Sequence, residues 1–416
     1  MVMPTLFNNS SRRRNTYIKK SPGIFSGRDS FRPEPNKDDW HFLKLDMPIA
    51  FIVCAFVLSG LIFTYSSSAF DSTSFFTRQL VFDIIGVSAA LFLSQFYSKL
   101  IKVKFLSPAV LLGISWVLLV IVLFSREQAN VHRWIDLGFF KVQPSEIAKV
   151  TLVIYIAHYL DSVTGKIAKN IKLLFKPIIV AGITLALILA EKDIGTPTLM
   201  GVAFLFMLII AGMTFKQFLK ISACLAPFAI GLAVHQLFMV DYRRRRIMIF
   251  LDPFSDLGGD GYQLGHSLYA VASGGWFGKG IGNSELKLEY LPAAHTDFIF
   301  SVMCEELGLF IGTIILGFFC WFLCRGIALA CVAKKHVHAY TIFGLTITIC
   351  MQAFFNMAMA IGLLPTKGIA FPFYSYGGSS VIMTLAMVGI IFNLAAVDNT
   401  QKNLRQDISQ YKNRNK

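Results

Sequence analysis

Long apolar stretches dominate this chain, and shorter polar segments separate them. A helix of ~20 mostly apolar residues crosses the hydrocarbon core of a bilayer, and we interpret ten runs in this way. They cover residues 45–66, 79–98, 105–125, 144–162, 177–191, 197–215, 217–240, 298–324, 340–363 and 372–396. The fifth run is short, and the pattern does not define its boundary with the sixth. The pattern predicts an all-α polytopic membrane protein with about ten transmembrane helices.

Composition supports the membrane assignment. The 416 residues are 55% hydrophobic and only 15% charged, unlike a soluble globular domain. The polar N-terminal segment contains no short apolar core followed by a small-residue cleavage site, so we predict no cleaved signal peptide. The seven cysteines nearly all lie in or beside apolar runs and lack metal-ligand spacing, so we expect neither a disulfide framework nor a cysteine metal site.

The positive charges predict the orientation. The net charge is +15, and Lys and Arg mark cytoplasmic loops of membrane proteins. With the N-terminus inside, every inside loop is basic, and an even number of helices places both termini in the cytoplasm. Nucleic-acid binding is the other interpretation of a basic chain, but these residues flank apolar runs and form no single face. We predict a disordered basic tail at 1–44, a transmembrane domain at 45–396 and a cytoplasmic tail at 397–416.

The unusual polar sequences of the chain fall in segments predicted to lie on the extracytoplasmic side of the membrane. These segments cover about 126–143, 192–196, 241–297 and 364–371. The longest, 241–297, lies between the seventh and eighth predicted helices. Random loops would not place this chemistry reliably on one face, so the pattern predicts an extracytoplasmic functional site.

Asp297 ends the longest outer segment and precedes the eighth apolar run, with His295 two residues before it. The free N–H groups and dipole of a helix N-terminus favour an ionised carboxylate. Such a carboxylate at a membrane surface could accept a proton from a substrate hydroxyl. The alternative is a helix cap, and position alone favours the cap.

Cationic and aromatic residues on the outer side have two interpretations each. Arg133 and Trp134 could bind a lipid phosphate and stack on a sugar, or serve as a snorkelling side chain and an interface anchor. The run from Arg243 to Arg246 is basic on the side that should lack positive charge. It suits a pyrophosphate, with lipid head-group contact as the alternative.

Ionisable residues within the predicted helices need partners or a polar cavity. Glu146 and Lys149 are three residues apart on one helix face, and we predict that they form an ion pair. Glu305 and Glu306 lie two turns into the eighth run, and Lys149 is one candidate partner for them. The glycine-rich stretches 258–263 and 274–282 lack the strand–helix context of a nucleotide loop; we predict that they form close-packed re-entrant or surface turns, which at membrane depth must be covered by protein or line a wet cavity.

Ten short motifs, taken together and in order, resemble the SEDS family (shape, elongation, division and sporulation). One of them is Ala294-His295-Thr296-Asp297-Phe298-Ile299-Phe300. The motifs occupy residues 133–138, 143–146, 193–196, 242–246, 261–263, 280–284, 287–292, 294–300, 305–308 and 375–380. Residues 287–292 and 364–368 resemble the division branch, the FtsW-type proteins, more than the elongation branch, the RodA-type proteins.

The resemblance implies a peptidoglycan glycosyltransferase that polymerises lipid II at the division septum of the bacterial inner membrane. It implies that Asp297, an acidic residue, is the catalytic residue. Substrate and pyrophosphate would be bound by Arg133, Trp134, Arg243, Arg246 and Lys367, with Glu146, Lys149, His295 and Glu306 in supporting roles. The implied partners are lipid II, a class B penicillin-binding protein that acts as a transpeptidase, and other division proteins. No cofactor is certain, and the resemblance leaves room for a divalent cation, Mg²⁺ or Mn²⁺.

Three departures from the family pattern concern the outer loops. Lys192 stands where proline is usual, Ala293 stands where glutamate is usual, and residues 130–132 replace small residues. They leave the local loop shapes, and any second carboxylate beside Asp297, undetermined. Three further hypotheses remain: a lipid II flippase, a scaffold that recruits a transpeptidase, and an elongation-type polymerase.

Overall fold

The computed structural model describes residues 45–68, 73–125, 133–136, 138, 141–239, 245, 248–256, 258–259, 261–284 and 296–414. Its main helices are α1 Met47–Ser68, α2 Thr73–Leu100, α3 Pro108–Leu123, α4 Pro144–Ser162, α5 Phe175–Ala190, α6 Gly195–Ile210, α7 Phe215–Met239, α8 Tyr262–Gly274, α9 Ile299–Val332, α10 His336–Ala360 and α11 Gly378–Arg414. Strands β1 Ile135–Asp136 and β2 Lys141–Val142 form a small antiparallel hairpin.

Each of the ten predicted apolar runs overlaps one of these helices, and α8 lies within 241–297, the longest segment between two runs. Within the described residues, six helices are long and apolar enough to cross a membrane, and two more, α3 and α6, are apolar but shorter. The helical, membrane-embedded character is therefore confirmed. The number of spans and the cytoplasmic position of the termini remain predictions.

The boundaries differ from the apolar runs where a polar turn decides them. The undefined junction of the fifth and sixth runs is resolved by a turn between Ala190 and Gly195. The last run enters helix only at Gly378, and a methyl group there would lie 2.8 Å from the Phe82 ring on α2. The small residue therefore lets α11 begin close to α2.

Gly308 interrupts α9 nine residues after its start. Its φ of 80° and ψ of 169° are not helical, and this region of backbone conformation is essentially restricted to glycine. The interruption frees carbonyl groups before it and N–H groups after it, and inside a membrane each of these groups needs a partner.

The loop that follows α8 supplies partners for four of these groups. Four backbone hydrogen bonds join the loop to the two sides of the interruption: Lys279 N to Glu305 O at 2.9 Å, Gly280 N to Glu306 O at 2.9 Å, Leu309 N to Gly275 O at 2.9 Å and Phe310 N to Trp276 O at 3.2 Å. The glycine-rich stretch thus packs its backbone directly on a helix, in agreement with the predicted covered turns.

The two buried acids before the interruption have partners of their own. Lys279 Nζ lies 3.0 Å from Glu305 Oε1, and the Ser66 hydroxyl of α1 donates to Glu306 at 3.1 Å. Lys149 pairs elsewhere, so the prediction that it neutralises these acids is wrong. The physical reason is the docked loop, which brings a nearer cation to Glu305 than α4 can.

A methyl group at Gly308 should therefore be severely destabilising. Its position would lie 2.3 Å from the Trp276 carbonyl oxygen, and the backbone would also have to leave a conformation that side chains rarely adopt. We expect Gly308→Ala to lower the free energy of unfolding by roughly 3 kcal/mol or more, measured by thermal unfolding in detergent.

The control is Gly317→Ala in the same helix. A methyl group there meets nothing within 4 Å, and alanine favours the helix over glycine. Its midpoint should match or exceed that of the parent. Equal midpoints for both variants would mean that the interruption at Gly308 does not constrain the fold.

Candidate functional site

A polar cavity of about 250 Å³ opens where the outer motifs meet. The segments that form its wall are distant in the chain. They are the residues flanking the hairpin, the first turns of α4, α6 and α11, the residues before α9, Gln352 on α10 and the loop between α10 and α11. The sequence predicted that the unusual polar segments share one site, and these segments line one cavity.

Five of the predicted site residues line this cavity, namely Arg133, Trp134, Glu146, Lys149 and Asp297. Lys367 is half-buried and adjoins the cavity through its neighbour Gly368, which does line it. Glu306 lies outside the cavity, against α1. The remaining predicted residues, Arg243, Arg246 and His295, lie outside the described part of the chain.

Asp297 lies just before α9. The N-cap residue is Phe298, and no side chain caps this helix end at that position. Asp297 is therefore one residue before the N-cap, and it lines the cavity. The alternative of a helix cap remains a prediction.

Gly368 lies between the carboxylate of Asp297 and the guanidinium of Arg133. A methyl group built on Gly368 would be 3.3 Å from Arg133 Nη1 and 3.3 Å from Asp297 Oδ2. The two charged atoms therefore lie within twice that distance of each other. Because Gly368 carries no side chain, an anionic oxygen and a positively charged group lie close together in the wall of the cavity that both residues line.

Arg133 is held at the cavity by the turn between α5 and α6. Its Nη2 lies 3.4 Å from Asp193 Oδ1 and 3.4 Å from the Lys192 carbonyl oxygen. Asp193 also accepts hydrogen bonds from Gly195 N at 2.9 Å and from the Thr196 hydroxyl at 2.7 Å. The turn thus begins α6 and orients the arginine with one carboxylate.

An ion pair closes the inner end of the cavity. Lys149 Nζ lies 2.8 Å from Glu146 Oε2 and donates to Gln352 Oε1 at 2.6 Å. The predicted pair is confirmed. Replacing such a buried pair by apolar residues often costs no stability, so its presence in a cavity wall indicates a functional reason. Gln352 was missed from the sequence because a single amide in an apolar run has no motif around it.

Glu191 is a buried acid beside this cluster that sequence reasoning also missed. It is 0% exposed, and neither of its carboxylate oxygens has a hydrogen-bond partner within the described residues. Burial raises the pKa of Glu191 to about 8; the Asp193 charge adds to the increase and the Arg133 charge opposes it. Near neutral pH this acid is therefore mostly protonated.

The turn beside Glu191 has a shape that explains one departure from the family pattern. Lys192 has a φ of 64°, in the left-handed region. A proline ring fixes φ near −65°, so the proline that is usual here could not adopt this conformation. The loop shape that the substitution left undetermined is thus a left-handed turn.

A metal ligand set is absent from the described residues. No group of three or more His, Cys, Asp and Glu side chains among them is arranged to hold an ion. The divalent cation that the family resemblance allowed therefore has no such set of ligands in the part of the site that the structure describes.

The cavity residues fall within a known sequence family. The model of the cell cycle protein family FTSW_RODA_SPOVE matches residues 46–400. The chain belongs to this family. The match covers all of the motifs named above, from the hairpin to the start of α11.

Similar proteins in this family carry one recurring name. A protein of Trichlorobacter lovleyi is 37% identical over 365 residues, which cover 85% of this chain and 93% of that protein. A protein of Thioalkalivibrio sulfidiphilus is 35% identical over 364 residues, covering 84% and 89%. Both are named probable peptidoglycan glycosyltransferase FtsW.

Solved structures of the family share the fold. One is a chain from a structure described as "Structural coordination of polymerization and crosslinking by a peptidoglycan synthase complex". It matches with a TM-score of 0.70 and 27% identity. The match covers 86% of this chain and 99% of that chain. The rod shape determining protein RodA of Thermus thermophilus matches with a TM-score of 0.60 and 23% identity, covering 85% and 97%.

The buried acid predicts a pH dependence of stability. Glu191 ionises near its ordinary pKa of 4.5 in the unfolded chain but near 8 in the folded one. Between these pH values the folded chain holds a proton that the unfolded chain has lost. The free energy of unfolding therefore decreases as the pH rises towards about 8. We expect Glu191→Gln to abolish this pH-dependent decrease in the free energy of unfolding, which is on the order of a few kcal/mol.

The measurement is the thermal unfolding midpoint of the purified protein between pH 5 and pH 9. The midpoint of Glu191→Gln should fall less over this range than that of the parent. The exposed Asp252 provides the control, since Asp252→Asn should keep the parental slope. Parallel slopes for the parent and the Glu191 variant would contradict the prediction.

Proposed function

We propose that this chain is a peptidoglycan glycosyltransferase that polymerises lipid II into β-1,4 glycan strands and releases undecaprenyl pyrophosphate. The observation that carries the proposal is the facing pair of Asp297 and Arg133 in a polar cavity beside a membrane-length helix. The similar proteins named peptidoglycan glycosyltransferase support it, because they align over most of their length and most of this chain.

Asp297 acts as the general base. The 4-hydroxyl of the acceptor sugar is a weak nucleophile until its proton is removed. Asp297 takes this proton as the oxygen attacks the anomeric carbon of the donor MurNAc. The bond from that carbon to the pyrophosphate oxygen breaks in the same displacement, so an α-linked donor gives a β-linked product.

The leaving group carries the negative charge that develops in this step. A fixed cation near it lowers the barrier because it is already oriented before the reaction. Arg133 is held in this way by Asp193, and its planar guanidinium suits a pyrophosphate. Lys367, Arg243 and Arg246 share this role in the proposal.

The other proposed site residues bind the substrate or support the site. Trp134 stacks on a sugar ring of the substrate, while the pair of Lys149 and Glu146 fixes the inner wall against which the head group rests. His295 and Glu306 support the segment that leads into α9.

The membrane setting follows from the substrates. Both keep their polyprenyl tails in the bilayer, which requires a site between helix ends at the membrane surface. We place the enzyme in the inner membrane at the division septum, with a class B penicillin-binding protein and other division proteins as partners. A related chain from a peptidoglycan synthase complex supports a partner that crosslinks.

A lipid II flippase is the competing hypothesis, since polar groups lie among the helices. It requires a polar route past Lys149. The further cavity that Lys149 lines measures only about 10 Å³ and is otherwise bounded mainly by apolar side chains. This geometry favours polymerisation at the outer face.

Removing the base should abolish polymerisation. We expect Asp297→Ala to lower glycan synthesis from supplied lipid II at least ~100-fold, measured with the purified protein and its cognate penicillin-binding protein. Folding and partner binding should be retained. The exposed Asp161, at the far end of α4, provides the control, because Asp161→Ala should polymerise like the parent.

Two results would overturn these assignments. Parental polymerisation by Asp297→Ala would remove the base assignment. If the parent never polymerises but moves labelled lipid II between the leaflets of a vesicle, the flippase hypothesis replaces the proposed function. A parent that does neither but binds its partner would be a scaffold.

A single methyl group should also disturb the reacting pair. Gly368→Ala places a carbon 3.3 Å from both charged atoms, so either Arg133 or Asp297 must move. At that distance a neighbour shifts by a few tenths of an ångström. Because a misplacement of about 1 Å can cost ~100-fold in rate, we expect a loss of roughly 2- to 10-fold in kcat. Gly182→Ala on α5, where a methyl group meets nothing within 4 Å, should leave kcat unchanged; a similar kcat for both variants would refute the prediction.

A further inference from the structure

Asn356 on α10 joins two backbone segments of the site with one side chain. Its amide Nδ2 donates to the Asp297 carbonyl oxygen at 2.8 Å and to the Ile369 carbonyl oxygen at 2.7 Å. Carbonyl oxygens only accept hydrogen bonds, so the nitrogen end of the amide must face them and both of its hydrogens are used. The side chain is 0% exposed.

The helix itself does not hold the backbone of Asp297. The first hydrogen bonds of α9 run from Ser301 N and Val302 N to the Phe298 carbonyl oxygen, at 3.0 and 3.3 Å. The Asp297 carbonyl lies before them and accepts a hydrogen bond from Asn356 Nδ2. The position of the candidate base is therefore fixed by side chains from elsewhere in the fold.

Ser375 holds the backbone of Thr296, the residue before Asp297, in a similar way. Its hydroxyl donates to the Thr296 carbonyl oxygen and accepts from Phe371 N at 2.6 Å. Two neighbouring carbonyls before α9 are thus tied to α10 and to the loop that carries Gly368. This loop faces Arg133, so the ties set where the base lies relative to the fixed cation.

Asn356 holds this position at a cost. Its Oδ1 is buried and has no hydrogen-bond partner among the described residues, and an unmade buried hydrogen bond costs about 1–3 kcal/mol. An apolar side chain would avoid that cost but would leave two carbonyls unpaired. The two hydrogen bonds are made despite this cost. The role of Asn356 is therefore to connect the backbone at Asp297 with the backbone at Ile369.

We propose that Asn356 is a positioning residue that fixes the backbone of Asp297 against the loop at Ile369, and so sets the place of the base in the reaction. It touches no substrate in this role and acts through Asp297. The inference rests on the proposed function, since it assigns Asn356 to the step that Asp297 performs.

The test compares Asn356 with a second buried amide remote from the cavity. Asn356→Leu keeps the branched outline without any donor, Asn356→Ala removes the side chain, and Asn356→Ser keeps one donor. Asn393 on α11 is the matched control, because its Nδ2 donates to the Ser94 carbonyl oxygen at 2.8 Å and its Oδ1 accepts from Ser98 N at 3.0 Å. Asn393→Leu therefore removes comparable bonds away from the site.

Polymerisation of lipid II is measured per folded molecule, with kcat and KM determined separately and thermal midpoints recorded. We expect the Leu and Ala variants of Asn356 to lose roughly 10- to 100-fold in kcat with KM nearly unchanged. Asn356→Ser should fall between them and the parent. Asn393→Leu should lose a comparable amount of stability and keep the parental kcat.

Three outcomes separate failure of this inference from failure of the proposed function. If the parent does not polymerise, the proposed function is wrong. If the parent polymerises and the Asn356 variants keep its kcat, or lose only what Asn393→Leu loses, Asn356 is structural. If KM rises while kcat stays parental, the residue contributes to binding, and positioning of the base is refuted.

Discussion

Backbone hydrogen bonding without water is the constraint on which this structure depends. At Gly308 a membrane-length helix breaks, and the docked loop after α8 makes four backbone hydrogen bonds to the two sides of the break. Before the same helix, Asn356 and Ser375 satisfy the carbonyls of Asp297 and Thr296. Irregular backbone is tolerated at this depth only when protein covers it, and the covering groups also place the site.

Function follows from the same arrangement. A catalytic base needs a defined position more than it needs a strong interaction, because reaction rates fall steeply with small displacements. Asp297 obtains that position from α10 and the following loop, while Arg133 obtains it from the turn before α6. Gly368 adds no side chain beside them. Base, cation and glycine thus come from three separate segments that only the fold brings together.

The buried polar groups near the cavity are stabilising only in part. The pair of Glu146 and Lys149 and the isolated acid Glu191 all occupy positions where apolar side chains would cost less. Their placement around one cavity is consistent with a site that trades stability for a fixed electrostatic environment. Glu191 illustrates the trade, since its raised pKa makes folding less favourable as the pH increases.

The sequence by itself determined the apolar helices and the family, because hydropathy and motif order are local properties. It also identified Asp297, Arg133 and the pair of Glu146 and Lys149. Tertiary structure decided which residues meet: Lys279 rather than Lys149 beside Glu305, and Phe298 rather than Asp297 as the N-cap. Asn356, Gln352 and Glu191 carry no motif, because their roles arise from hydrogen bonds and burial between segments far apart in the chain. Such contacts have no periodicity along the chain, so only the folded structure reveals them.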